Sequence, residues 1–471
     1  MDHDYLHDFL QEVQSMFQEC LSPTSLCKLS HKLQREFYEK LQCSNISMLP
    51  SYHHILPTGF EKGTFLALDV GGTNLRVASI GLDGHSPQKS GIRVKSSKSF
   101  RADANIRSLQ GTKFFDWIAG NIQAVLEEGH NATEPGSGLI PMGIAWSFPL
   151  QQTSIKSARL LQMGKGFLAC EGIQSSDLGE LVTESCRKRG LNVHVVSIVN
   201  DASATLLAQA YHEPSTRLSL ILGTGLNAAI YLPLRAVAAQ KYIDRPLTWT
   251  ESATHVVVNT ELSMYGGNVF PSTRWDRYLN NHHMLPDFQP LEQRVSGRYL
   301  GEIVRLILLE AIHNGLIFKG IMPEGFEEPY SLCTSILAEF ESDTSIDLSI
   351  ARKAFLNRHY LKQAPLLSEM NFMRLVCQLV SSRAAAFVAT AIHALCTLAM
   401  DCEENPGTCK DHISIACDGS VIEKYPEFLQ RCQDHIDRLH LEAGSSDRAI
   451  KLVLMSDSSV LGAAVAAACD C

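Results

Sequence analysis

The chain has 471 residues, with 41 lysines and arginines against 50 aspartates and glutamates, a net charge of −9 at neutral pH. With 45% hydrophobic and 19% charged residues it is too apolar to be disordered. The net negative charge argues against a nucleic-acid binder, and the length suits two or three domains with a core that needs no disulfides.

The opening Met1–Phe9 carries acidic residues and lacks the basic-then-apolar order of a secretory leader. Fourteen cysteines form no C-x-x-C unit, so reduced thiols in a cytoplasmic protein are expected, or a nuclear one if the role is regulatory. Leu6, Leu10, Val13, Phe17 and Cys20 recur at helical spacing. Ser22-Pro23 interrupts, and Leu26, Leu29, Leu33, Phe37 and Leu41 resume the period. An irregular stretch with Pro50 and Pro57 follows.

Thr64–Asp69 is a short apolar run that suits a buried strand. Leu75–Leu82 is a second strand, and a tight Asp83-Gly84 turn is expected to lead into a third. Segment 114–128 predicts an amphipathic helix, and Gly143–Phe148 and Val193–Val199 predict strands. Leu218–Leu222 and Ala228–Leu232 flank a glycine turn and form a second hairpin. Helical patterning covers 294–320 and 369–400. Within the latter, Ala384–Met400 reads as a buried helix, short of the ~20 residues a membrane span needs. His412–Cys417 and Ile450–Met455 are further strands, and Val460–Cys469 is a helix of small residues.

Asp69-Val-Gly-Gly-Thr-Asn-Leu-Arg76 is the most informative stretch. Gly71 and Gly72 let backbone N–H groups approach an anion, Thr73 and Asn74 add donors, and Arg76 can grip a phosphate oxygen. Asp69, ending the strand, suits a magnesium ion held through water. A plain hairpin turn is the alternative. Gly223-Thr224-Gly225-Leu226-Asn227 is a second such turn, and two copies suggest two related lobes around a cleft. Asp201, after Asn200 at a strand end, either takes a proton from a substrate hydroxyl or belongs to a helix N-terminus, since a helical run follows. Lys165, between Gly164 and Gly166, reaches a phosphate or hydroxyl or is a solvated surface lysine. The adjacent histidine pairs at 53–54 and 282–283 have no accompanying carboxylate cluster and do not suggest metal.

Pro50-Ser51-Tyr52 through Leu56-Pro57-Thr58-Gly59, then Glu61 through Arg76, closely resemble the eukaryotic hexokinase/glucokinase family, as a divergent, fungal-like member. The resemblance runs from about residue 30 to the C-terminus. Ser147-Phe148-Pro149, Gly164-Lys165-Gly166-Phe167, Asn200-Asp201, Gly223–Asn227, Asn259-Thr260-Glu261, Leu291-Glu292 with Val295–Glu302, and Asp418-Gly419-Ser420-Val421 resemble its motifs in order. The fold implied is a two-lobed α/β, actin-like ATPase (ribonuclease H-like) fold of the hexokinase type, with a cleft between lobes. Residues 1–63 would be a helical segment of the large lobe, 64–199 the small lobe and 200–447 the large lobe. Residues 448–471 would be a strand and helix returning to the small lobe.

The activity implied is ATP-dependent phosphorylation of a hexose at its 6-hydroxyl, with Asp201 as general base and Lys165 assisting. Ser147, Lys165, Asn200, Asn227, Glu261 and Glu292 would bind the sugar, and Gly164 stands in that loop. Gly71, Gly72, Thr73, Asn74, Arg76, Gly223, Thr224 and Gly225 would grip the phosphates of ATP, Gly419 and Ser420 would flank the adenosine, and magnesium would have no certain direct protein ligand beyond water to Asp69. Partners implied are a hexose or sugar-like acceptor and ATP, with no nucleic acid or membrane.

The sequence departs from the family at Gly164, where a threonine is usual, and at Glu261–Gly266, which lacks Trp-Gly-Ala-Phe. Ala204 replaces a glycine, and Asp457-Ser458-Ser459-Val460 lacks Gly-Ser-Gly. These changes leave two readings open. One is a working but divergent hexokinase, or a kinase of a non-standard sugar-like acceptor. The other is a catalytically weak regulatory relative that binds sugar or nucleotide and signals through a protein partner.

Overall fold

The computed structural model describes residues 2–84, 91–129, 138–161, 163, 167–404, 412–444 and 448–470. Its thirteen strands, in chain order, are β1 (Leu49–Pro50), β2 (Lys62–Val70), β3 (Asn74–Asp83), β4 (Ile92–Arg101), β5 (Ile140–Trp146), β6 (Leu150–Gln152), β7 (Ala158–Leu160), β8 (Val193–Asn200), β9 (Thr216–Leu222), β10 (Leu226–Pro233), β11 (His255–Asn259), β12 (His412–Asp418) and β13 (Ala449–Leu454). They form a five-stranded sheet in the order β4-β3-β2-β5-β8 and a six-stranded sheet in the order β1-β11-β10-β9-β12-β13, with β6 and β7 apart as a small ribbon.

The two sheets repeat one plan. In the first, β2, β3 and β4 form an antiparallel meander, and β5 and β8 add in parallel beside β2. In the second, β9, β10 and β11 form the meander, and β12 and β13 add in parallel beside β9. The duplication expected from the two glycine hairpins is therefore complete down to strand order and direction. It is the two-lobed fold that the resemblance implied.

Small residues join the lobes. The Asp201–His212 helix lies on the larger sheet and the Ser458–Cys469 helix on the smaller, and they pack against each other in a core that includes Ala202, Ala463, Ala466, Val257 and Ala67. Contact here is backbone to backbone. A Cβ added to Gly462 would sit 1.9 Å from the carbonyl oxygen of Ala204, and one added to Gly143 of β5 would sit 1.9 Å from that of Ala463. Both glycines are held by close approach, since no side chain fits the space.

The remaining helices of the large lobe surround one long element, Leu367–Cys402. It is apolar enough to cross a bilayer by length and composition, but it is packed inside the lobe, with Ala384–Cys396 buried throughout. The helices Asp2–Gln18 and Pro23–Cys43 cover it with the periodic Val13, Phe17, Leu26, Leu29, Leu33, Phe37 and Leu41. The Ser22 hydroxyl caps the second helix by accepting from Ser25 N–H at 3.3 Å.

Three local expectations change. Gly84 does not begin a two-residue turn: Asp83 N–H donates to Gly91 O at 2.8 Å, so the connection between β3 and β4 runs through 84–91, of which 85–90 lie outside the described residues. Segment 294–320 is not one helix. It divides into Glu292–Val295, Leu300–His313 and a kinked turn at Phe318–Gly320, where Lys319 has φ 53°. Gly297 and Gly315 fall at the breaks, and glycine weakens a helix by about 1 kcal/mol relative to alanine. Finally, Ala449–Leu454 does not return to the small lobe. It pairs in parallel with β12 as an edge of the six-stranded sheet, and only the Ser458–Cys469 helix crosses to the smaller sheet. The apolar run specified a strand but not which sheet would satisfy its backbone donors.

Candidate active site

The candidate residues gather where strands end, at the cleft between the sheets. β2 ends at Asp69-Val70, and the turn to β3 is closed by Gly71 N–H donating to Asn74 O at 3.0 Å. Neighbouring segments hold that turn from outside. Thr73 O accepts from Ala102 N–H at 2.8 Å and Gly72 O from the Arg107 guanidinium at 3.1 Å. The carbonyls are thus spoken for from one side. Ser147 follows β5 directly, and its N–H donates to Val70 O at 3.1 Å, so Ser147 stands beside the first turn.

The second turn is built against Gly419 and Ser420 at the end of β12. Gly223 N–H donates to Gly225 O at 3.0 Å. Gly419 has φ 118°, and a Cβ on it would lie 2.5 Å from the Leu222 carbonyl, so the β12 end and the β9–β10 turn touch through bare backbone. Thr224 O accepts from the Ser296 hydroxyl at 3.0 Å, and Gly297 N–H donates to Gly223 O at 2.8 Å. Those bonds place the Glu292–Val295 helix under the same turn, where the Glu292 carboxylate accepts from Leu226 N–H at 2.8 Å.

One pocket is lined by Asp69, Arg76, Asp201, Asp418, Gly419, Ser420, Lys424 and Asp457. Burial raises the Asp69 carboxyl to about 7, reinforced by the charges of Asp201, Asp418 and Asp457 and opposed by Arg76. Arg76 is ion-paired with Asp457. An oxygen-rich pocket with more carboxylates than cations suits a hard divalent ion. Among the described residues, no group of three carboxylates, cysteines or histidines is gathered tightly enough to ligate one directly. The donor set fits a hard divalent ion that these carboxylates would hold in part through water.

A second polar group adjoins the same Asp201. Asn200 ends β8 and caps the following helix, its side-chain oxygen accepting from Ala202 N–H at 3.0 Å. The pair forms a helix N-terminus, as one alternative had it, and Asp201 also lines the pocket. Asn227 donates to Asn259 Oδ1 at 3.0 Å and lies 3.4 Å from Asn200 Oδ1, while Asn259 donates to Glu261 Oε1 at 2.7 Å. Glu261 has left-handed backbone (φ 53°), a strained conformation for a side chain with a Cβ. Its carboxyl is raised to about 7 by burial, with Asp201 and Glu292 adding repulsion and Asn259 opposing.

The structure thus brings together Asp69, Arg76, Asp201, Gly419 and Ser420 around one pocket, and Asn200, Asp201, Asn227, Glu261 and Glu292 in the adjoining cluster. Gly164, Lys165 and Gly166 lie outside the described residues. Their neighbours Met163 and Phe167 are buried in the small-lobe core, with Phe167 edge-on to Phe148 at 5.2 Å. Sequence reasoning left Asn259, Asp418 and Asp457 without roles. Asp418 carried the signal that marked Asp69, an aspartate closing an apolar strand. Asn259 was marked only as part of the Asn259-Thr260-Glu261 motif, and Asp457 only as part of the run that departs from the family.

Family comparison decides what such a cleft belongs to. Hexokinase family models match residues 10–211 and 217–469. The chain belongs to the hexokinase family. It is 30% identical to hexokinase-2 of Saccharomyces cerevisiae over 433 residues, which cover 90% of this chain and 84% of the relative. It is 31% identical to the hexokinase of Schistosoma mansoni over 447 residues, 93% and 90% of the two chains. The solved structure of hexokinase from Schistosoma mansoni complexed with glucose superposes with a TM-score of 0.79 at 28% identity, covering 98% of this chain and 99% of the other. This hexokinase is therefore a sugar kinase of the two-lobed type, and its cleft residues are read on that basis.

Proposed function

We propose that the chain transfers the γ-phosphoryl group of ATP to the 6-hydroxyl of a hexose, with Asp201 as general base. The observation that carries this reading is the position of Asp201: it borders both the carboxylate-rich pocket and the asparagine–glutamate cluster. The sugar lies in the cluster, its hydroxyls meeting Asn200, Asn227, Glu261, Glu292 and Ser147, and the family resemblance adds Lys165. The triphosphate runs from the pocket, which Arg76 lines, to the two glycine turns, where the family resemblance gives it the backbone of Gly71, Gly72 and Gly223–Gly225 with Thr73, Asn74 and Thr224 as further donors. Gly419 and Ser420 flank the adenosine.

Asp201 accepts the proton of the 6-hydroxyl as that oxygen bonds to the γ-phosphorus, and ADP leaves with the electron pair of the broken P–O bond. Arg76 and Lys165 balance charge on the transferring group, and bound magnesium would neutralise the phosphates beside Asp69. Such a transfer needs positioning and charge neutralisation more than covalent help. Closure of the lobes excludes water, the competing acceptor.

The test is ADP release by purified protein with ATP, magnesium and a panel of hexoses. Saturable turnover on one sugar, lost by at least a thousandfold in Asp201→Ala, is the expected result. Sugar or ATP binding without turnover on any acceptor would replace this reading with that of a regulatory relative.

A further inference from the structure

The Asp457-Ser458-Ser459-Val460 run, where the family resemblance breaks, supplies an interaction that glycine could not make. Ser458 opens the C-terminal helix and is fully buried. Its hydroxyl bonds to Asp418 Oδ2, and its backbone N–H donates to the same oxygen at 3.0 Å. On its other side, Ser458 Oγ lies 2.7 Å from the hydroxyl of Thr205, which is also fully buried. Thr205 Oγ1 in turn lies 3.0 Å from the carbonyl oxygen of Asp201.

Proton accounting orients this chain. The Asp418 carboxylate can only accept, so it takes the Ser458 proton. The 2.7 Å contact with Thr205 must then use the Thr205 proton, which is shared with the Asp201 carbonyl. The result is a polarised relay from Thr205 to Ser458 to Asp418, strengthened at its charged end. It spans three elements: the Asp201 helix, the C-terminal helix and the end of β12. One carboxylate oxygen of Asp418 is held by two donors, while the residue itself lines the pocket with Asp69.

We infer that Ser458 is a positioning residue for the nucleotide: it holds the Asp418 carboxylate in one orientation in the magnesium–ATP pocket and ties that orientation to the first turn of the helix bearing Asp201. The inference rests on the phosphotransferase reading for its ligand. It does not depend on turnover for its test.

The experiment compares wild type, Ser458→Ala, Ser458→Gly and Asp418→Asn, with Ser458→Ala/Asp418→Asn closing a double-mutant cycle. Calorimetric titration with ATP in the presence of magnesium gives affinity, and steady-state rates give the two Michaelis constants. Losing the hydroxyl should weaken magnesium–ATP binding and raise its KM about tenfold, the lower end of the range for one hydrogen bond to a charged group. The KM for hexose should stay within twofold. Adding Ser458→Ala to Asp418→Asn should cost little more, because both changes break one contact. A lowered melting temperature with unchanged ATP affinity would overturn the inference and leave Ser458 a packing residue. Equal changes in both Michaelis constants, or full additivity in the cycle, would overturn it too. If Ser458→Ala does not fold, Ser458→Gly, which adds no atom to the site, carries the same comparison. Absence of turnover in wild type would count against the kinase reading alone, since the calorimetric comparison still decides the role of Ser458.

Discussion

Glu261 concentrates the chemistry of the site at the scale of one residue. Its left-handed backbone and its burial beside Asp201 and Glu292 are both unfavourable, and among the described residues Asn259 donates to it in compensation. Its carboxyl is held near 7, above the ordinary carboxylate range. The folded protein therefore keeps a proton there that the unfolded chain has already lost. A raised acid contributes most below the unfolded value, and that contribution disappears as pH rises through about 7. Glutamine carries no such penalty. The melting temperature of ligand-free Glu261→Gln relative to wild type is expected to climb as pH goes from 5 to 8. A difference independent of pH would show that Glu261 is already ionised throughout. The strain and the proton are features expected of a site prepared for polar ligand groups rather than for stability.

At the scale of elements, the crossing of the Asp201–His212 and Ser458–Cys469 helices decides how the lobes meet. Gly462 lies against the Ala204 carbonyl, and Gly143 against Ala463, so a C-terminal helix of small residues threads between a strand and another helix without side chains to separate them. Gly462→Ala puts a methyl group 1.9 Å from a backbone oxygen that no rotamer can move. The helices must shift, at a cost of roughly 1–3 kcal/mol or more for overpacking. Urea denaturation is expected to show that loss. Unchanged stability would mean the interface has slack the geometry does not suggest. The family's glycine at 204 would not relieve the close contact, since the atom met by Gly462 is backbone. The alanine adds helix propensity of about 1 kcal/mol instead.

At the scale of the molecule, the two sheets must be linked by segments able to bend without losing their place. The chain between β1 and β2 is one such link. Arg245 lies over Tyr52 at 4.3 Å and over Trp249 at 4.1 Å and donates to the carbonyls of Pro50 and Ser51, while the Trp249 indole donates to Tyr52 O at 2.8 Å. Arg245 and Trp249, neither marked by a motif in the sequence, supply the clamp on this link. A link anchored at its large-lobe end favours rotation of one lobe over the other rather than dispersed flexing. Small-angle scattering is expected to show the radius of gyration falling when a saturating hexose substrate is added. An unchanged radius under saturation would exclude closure by sugar alone.

Strands, helices and glycine turns were legible in the chain because their causes are local. Apolar runs, 3.6-residue periods and paired glycines act over a few residues, and they marked Asp69, Asp201 and the turns at 71–74 and 223–225 correctly as strand and helix ends. The resemblance to hexokinases supplied the family and the two-lobed fold. What only the tertiary structure decided was which distant groups share a space. β13 joined the larger sheet because β12 offered a parallel edge. Asn259 reached Glu261, Asp457 reached Arg76, and Ser458 reached both Asp418 and Thr205 because two helices without bulk at their crossing let three elements close on one pocket. Such contacts span up to several hundred residues of chain, as Arg76 and Asp457 do at a separation of 381. Their energy depends on the burial and shape that folding creates, and no local pattern encodes it.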